Sequence, residues 1–117
     1  MVNTKEIALQ CAKILDAKKG QDITIIDIAE KSGFADYLVV VSANNERLIG
    51  ALAQDLEDEM AKSQIFVKGI EGRKESGWIL MDYGDIIVNV FSEAMRSRYN
   101  IEKVWGDCNF IEFEEGK

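Results

Sequence analysis

Residues 77–91 read GWILMDYGDIIVNVF: two apolar runs either side of Tyr83-Gly84, with Asp82 and Asp85 flanking the pair. The pattern predicts a β-hairpin closed by a two-residue loop at Tyr83-Gly84. That loop sets a register in which Asp82 faces Asp85, Met81 faces Ile86, Leu80 faces Ile87, Ile79 faces Val88 and Trp78 faces Asn89. Alternation then sorts the side chains. Ile79, Met81, Ile86, Val88 and Val90 form an apolar face suited to packing beneath helices. Trp78, Leu80, Ile87 and Asn89 form the other, with two carboxylates at its end. Like charges directly opposed weaken a ladder, so the aspartates call for a cation from elsewhere.

Working outward, Asn3 followed by Glu6 caps a helix over about 4–18, with Ile7, Cys11, Ile14 and Leu15 at helical spacing. Residues 22–29 (DITIIDIA) predict a strand, and 35–43 (ADYLVVVSA) a second. The unbroken apolar run Leu38–Val41 places the second strand mid-sheet, covered on both faces. Asn44 or Asn45 caps a second helix, striped by Leu48, Leu52, Leu56 and Met60 and widened by Ile49 and Ala53. QIFVKGI (64–70) predicts a third strand, parallel to the previous one through a crossover. EGRKES (71–76) reads as a polar loop, the hairpin supplies two more strands, and residues 92–117 give a short helix, an aromatic anchor and an acidic tail from about 109. The fold class is α/β (α+β): one domain spanning 1–117, with a mixed sheet of about five strands and helices mainly on one face.

Composition narrows the function. A formal net charge of −7 disfavours gripping phosphate backbones and favours a basic partner surface. Histidine is absent, which removes the commonest general base and metal ligand. Cys11 and Cys108 lie far apart, so neither zinc nor thiol chemistry is expected, and a disulfide between them is disfavoured in a reducing compartment. No catalytic residue, cofactor site or metal site is assigned. No run is long enough to span a bilayer, and the charged, periodic N-terminus is unlike a signal or transit peptide, which predicts a cytoplasmic protein.

Two helices cover one face of such a sheet, leaving the other to the C-terminal segment or to solvent. Wetting Trp78, Leu80 and Ile87 together would forgo roughly 4–6 kcal/mol of burial. An apolar patch rimmed by acids marks a partner surface. The competing readings are an ordinary core tryptophan, and a cation held by Asp82 and Asp85, which lack a third ligand nearby in sequence.

KGQDITIIDIAEKSGFADYLVVVSANNERLIGALA (19–53), GWILMDYGDIIVNVF (77–91) and RYNIEKVWGD (98–107) together resemble the ribosomal silencing factor, or Iojap-like, family. The resemblance covers about Ile7 to Cys108. It implies a nucleotidyltransferase-like topology without the catalytic motif, and a non-enzymatic repressor. Such a repressor binds the large ribosomal subunit through large-subunit ribosomal protein fourteen and blocks small-subunit joining under nutrient limitation. It further implies a role in large-subunit biogenesis for organellar members, homodimers when free, and at most peripheral contact with ribosomal RNA. Carried onto this chain, the partner-binding residues are Trp78, Leu80, Asp82, Tyr83, Asp85, Ile87 and Asn89. Relatives usually have histidine at the positions of Asn89 and Ser92. Arg98, Tyr99, Trp105 and Asp107 match the family and are assigned first to locking the C-terminal segment onto the sheet.

Three function classes follow: a steric binding module, a residual nucleotidyltransferase, and a structural homodimer. Nucleotidyl transfer needs carboxylates gathering Mg²⁺. The fold's Gly-Ser turn and Asp-x-Asp are missing, because SANNERL follows LVVV. A homodimer through the same face would bring acids near acids.

Overall fold

The computed structural model describes residues 3–111 and 113. Helix α1 (Thr4–Ala17) starts where the Asn3 side chain accepts from the Glu6 amide at 2.8 Å, and it buries Ala8, Cys11, Ala12 and Leu15. Strands β1 (Gln21–Asp27) and β2 (Tyr37–Ala43) follow, then α2 (Glu46–Lys62), β3 (Gly69–Arg73), β4 (Trp78–Asp82) and β5 (Ile86–Ser92). The C-terminal part contributes α3 (Glu93–Tyr99), a single turn α4 (Ile101–Val104) and β6 (Asn109–Ile111). Asn45, the second of the two candidate caps, starts α2 by accepting from the Leu48 amide.

The strands form one six-stranded sheet in the order β3-β4-β5-β2-β1-β6. Among the described residues only β2 and β5 pair in parallel; the other neighbours are antiparallel. The apolar run of β2 is central, as its pattern required. Helices α1 and α2 pack on one face over a core that includes Ile25, Val39, Val41, Met81, Val88 and Val90. On the opposite face a smaller core joins Ile26, Ile28, Ala35, Leu38 and Ile87 to Leu80, Ile101, Trp105 and Cys108. The C-terminal segment therefore caps part of the second face.

The structure corrects four expectations. The hairpin closes at Gly84-Asp85, not at Tyr83-Gly84: the Tyr83 amide donates to the Ile86 carbonyl at 2.9 Å, and Gly84 has φ +90°. A tight hairpin loop opening with positive φ wants glycine first, and the expected loop would have put Tyr83 there. The register is consequently two residues out, with Asp82 facing Ile87, Leu80 facing Asn89 and Trp78 facing Phe91. The two aspartates are not opposed. A shift of two keeps every side chain on its expected face.

Second, the third strand is 69–73 rather than 64–70, because Glu71–Arg73 forms an exposed edge. Ile65 and Val67, which suggested the strand, instead pack against the larger core from an irregular segment. β3 runs in the same sense as β2, with β4 and β5 between them. Third, residues 109–111 are a sixth strand on β1 rather than the start of a tail; residues 112 and 114–117 lie outside the described residues. Fourth, Tyr83 is not at the loop tip. It continues the alternation of Ile79 and Met81 onto the helix-covered face, where it is 9% exposed.

Candidate functional site

Strand β4 places Trp78, Leu80 and Asp82 on the face away from α1 and α2. Trp78 is half-buried. Its ring lies 5.1 Å from that of Phe91 and 4.9 Å from that of Tyr99, and its indole nitrogen donates to Asn89 Oδ1 at 3.0 Å. Leu80 is half-buried against the smaller core. Asp82 is partly exposed, and its Oδ1 accepts from the Gly84 amide at 2.7 Å, stapling the turn. Asp85 is exposed, while its carbonyl accepts from the Asp36 and Tyr37 amides and ties the hairpin tip to the start of β2.

Of the sequence-assigned residues, Trp78, Leu80 and Asp82 thus share one face of β4, and Asp85 is exposed at the hairpin tip. Ile87 (9% exposed) and Asn89 (1%) are buried on the neighbouring strand β5. Tyr83 lies on the far side of the sheet. Its hydroxyl is buried with no hydrogen-bond partner among the described residues, and burial raises its pKa.

The C-terminal segment is held as expected in part. Tyr99 packs on Trp78, Trp105 packs against the smaller core and meets the exposed ring of Phe34 edge-on, and Asp107 pairs with Lys31. Arg98 is exposed, and the central link is Arg96, which sequence reading missed. Its guanidinium makes two bonds to the Glu102 carboxylate, at 2.8 and 3.1 Å, and donates to Ser42 at 2.8 Å and Thr24 at 3.0 Å. Fork-to-fork geometry of this kind fixes position as well as charge. One side chain therefore clamps α3, α4, β1 and β2 together.

Cys11 and Cys108 are both free. Burial pushes the Cys11 thiol up to about 12, which makes it an inert packing group. Among the described residues no cluster of three or more metal-ligating side chains is found, and no helix is long and apolar enough to cross a membrane.

This architecture has counterparts. A family model described as ribosomal silencing factor during starvation matches residues 2–117. A Bacillus subtilis protein named ribosomal silencing factor is 36% identical over 115 residues, covering 98% of both chains. A crystal structure of a Chromobacterium violaceum protein superposes with a TM-score of 0.86 at 27% identity, covering 99% of this chain and 98% of that one. A mouse protein named for mitochondrial assembly of the ribosomal large subunit is 26% identical over 96 residues, covering 79% of this chain and 42% of its own length.

Proposed function

The chain belongs to the ribosomal silencing factor family, and on that premise we propose that it binds the large ribosomal subunit and sterically blocks joining of the small one. The docking surface in this reading is Trp78 and Leu80 flanked by Asp82 and Asp85. Its partner is large-subunit ribosomal protein fourteen, as the family resemblance implies, and ribosomal RNA contributes at most at the rim. The family description ties the activity to starvation, so repression is assigned to nutrient limitation in the cytoplasm. For the free chain the family resemblance implies a homodimer.

The observation that carries the reading is a half-buried Trp78 and Leu80 on the strand face that ends at Asp82, with Asp85 exposed at the hairpin tip, in a chain of net charge −7. Aromatic anchors with a charged rim concentrate binding energy, and complementary charge speeds encounter with a basic protein surface. The role requires no catalytic group. Nucleotidyl transfer would need an acid pair around the end of β2, where the chain instead has Ser42-Ala43-Asn44-Asn45.

Cosedimentation with purified large subunits, followed by addition of small subunits, tests the proposal. Binding with loss of joined ribosomes is the expected result. Unimpaired joining at saturating protein would overturn the repressor role. The name of the mouse relative favours a second reading, assembly of the large subunit. Accumulation of large-subunit precursors on depletion, without an effect on joining, would select it.

A further inference from the structure

Between β3, β4 and α3 lies a groove of about 290 Å³ lined by Trp78, Tyr99, Leu80, Met95, Glu71 and Ser76. The rings of Trp78 and Tyr99, with centroids 4.9 Å apart and tilted by 43°, both line it, and Tyr99 is 45% exposed. Leu80 and Met95 add apolar wall. Glu71 stands directly cross-strand from Leu80, so its carboxylate shares the face of the sheet that carries the indole. It is exposed and belongs to none of the ion pairs formed among the described residues. Arg73, cross-strand from Trp78, does not line the groove.

Apolar walls, two π faces and a carboxylate suit a cation carried on an aliphatic stem. A purely apolar side chain would fill the walls but desolvate the Glu71 carboxylate without return. An ammonium would answer the charge but is compact and strongly hydrated. A guanidinium is planar and weakly hydrated, stacks on aromatic rings and forks onto a carboxylate. We propose that the groove receives one arginine side chain of the protein partner, stacked on Trp78 and Tyr99 and paired with Glu71. The inference rests on the docking function above and deepens it by naming the chemical group received.

The test uses the isotope-labelled full chain titrated with N-acetyl-arginine N-methylamide, followed at the Trp78 indole N–H and at the amides of residues 71 and 99. A saturable shift is expected. The citrulline and norleucine analogues, which lack the charge, should bind roughly fivefold more weakly or worse. Glu71→Gln should bring the arginine derivative down to their level without changing Tm, because Glu71 is exposed on an edge strand. The absence of a saturable arginine shift, equal binding of an uncharged analogue, or an unaffected Glu71→Gln titration would each overturn the assignment. In cosedimentation, Glu71→Lys should weaken large-subunit binding by roughly tenfold. Retained binding by Glu71→Lys together with loss by Trp78→Ala would remove the arginine and leave the docking function standing; retained binding by both would remove the docking surface itself.

Discussion

The Trp78 indole nitrogen bonds diagonally across the hairpin to Asn89 Oδ1 at 3.0 Å, although the residue directly opposite Trp78 is Phe91. The bond pins an aromatic ring whose other neighbours, Phe91 and Tyr99, hold it only by stacking. Asn89→Ala should leave a partly buried donor without its acceptor. The expected cost is about 1–3 kcal/mol, read by denaturant unfolding, with loosening of the indole seen as a change in near-ultraviolet dichroism.

The register of the hairpin depends on Gly84. Its φ of +90° is a conformation that costs a side chain about 1–2 kcal/mol. The nearest atoms to an added Cβ are the flexible end of Lys68, which can move aside, so the backbone sets the cost. Gly84→Ala should therefore destabilise by about that amount without abolishing folding. An unchanged unfolding midpoint would contradict the turn assignment.

Features carried by local pattern were legible in the sequence; those fixed by distant contact were not. Helix α2 announces itself through Asn45 and the stripe Leu48, Leu52, Leu56 and Met60, because a burying face must repeat with the helix. The two faces of the hairpin survived a wrong turn assignment because parity survives a shift of two. By contrast β3 is exposed at all its residues, so burial imprints no alternation on Glu71–Arg73. β6 is a three-residue strand held by pairing with β1 and by Ile111 against the larger core, both distant in sequence. In the candidate site, the shared face of Trp78, Leu80 and Asp82 was visible from the hairpin alone. Tyr83 was misplaced by the turn assignment, and the groove depends on α3 bringing Tyr99 over the sheet. Arg96 was invisible because its partners Ser42 and Thr24 are 54 and 72 residues away.

Because Arg96 joins four elements, its loss should be felt unevenly. Arg96→Met keeps much of the stem but strands Glu102 and Ser42, for an expected cost of about 2–3 kcal/mol. Hydrogen exchange should accelerate in residues 93–108 well before α1 and α2. Adding Glu102→Gln should cost less than the sum of the single changes, since the two groups form one unit.

Stability should decline on the alkaline side. Burial raises the Cys11 thiol from 9.0 to about 12 and also raises the Tyr83 phenol, so the folded state holds both protons after the unfolded chain has begun to release them. The stabilisation is complete below the unfolded pKa and fades as pH climbs from about 9 towards 12. Cys11 alone contributes a slope of at most about 1.4 kcal/mol per pH unit. Cys11→Ala should flatten the dependence measured by denaturant unfolding between pH 8 and 10.5, whatever its effect on stability at neutral pH.

Charge and ring should act on different steps of large-subunit binding. Asp85 is exposed, and Asp82→Asn preserves an oxygen for the Gly84 amide, so the pair Asp82→Asn and Asp85→Asn leaves the fold intact. Rim charges steer approach through a field that salt screens within about 8–10 Å. The double variant should therefore associate several-fold more slowly at low salt, converge on the parent as salt rises, and dissociate at nearly the parental rate. Trp78→Ala removes a desolvated anchor, and a loss of about 2 kcal/mol or more should emerge as dissociation roughly 30-fold faster, with association little changed. Surface-immobilised large subunits and stopped flow across a salt series would separate the two. If both variants altered only association, Trp78 would be steering rather than anchoring, and the docking contact would have to lie elsewhere on the sheet.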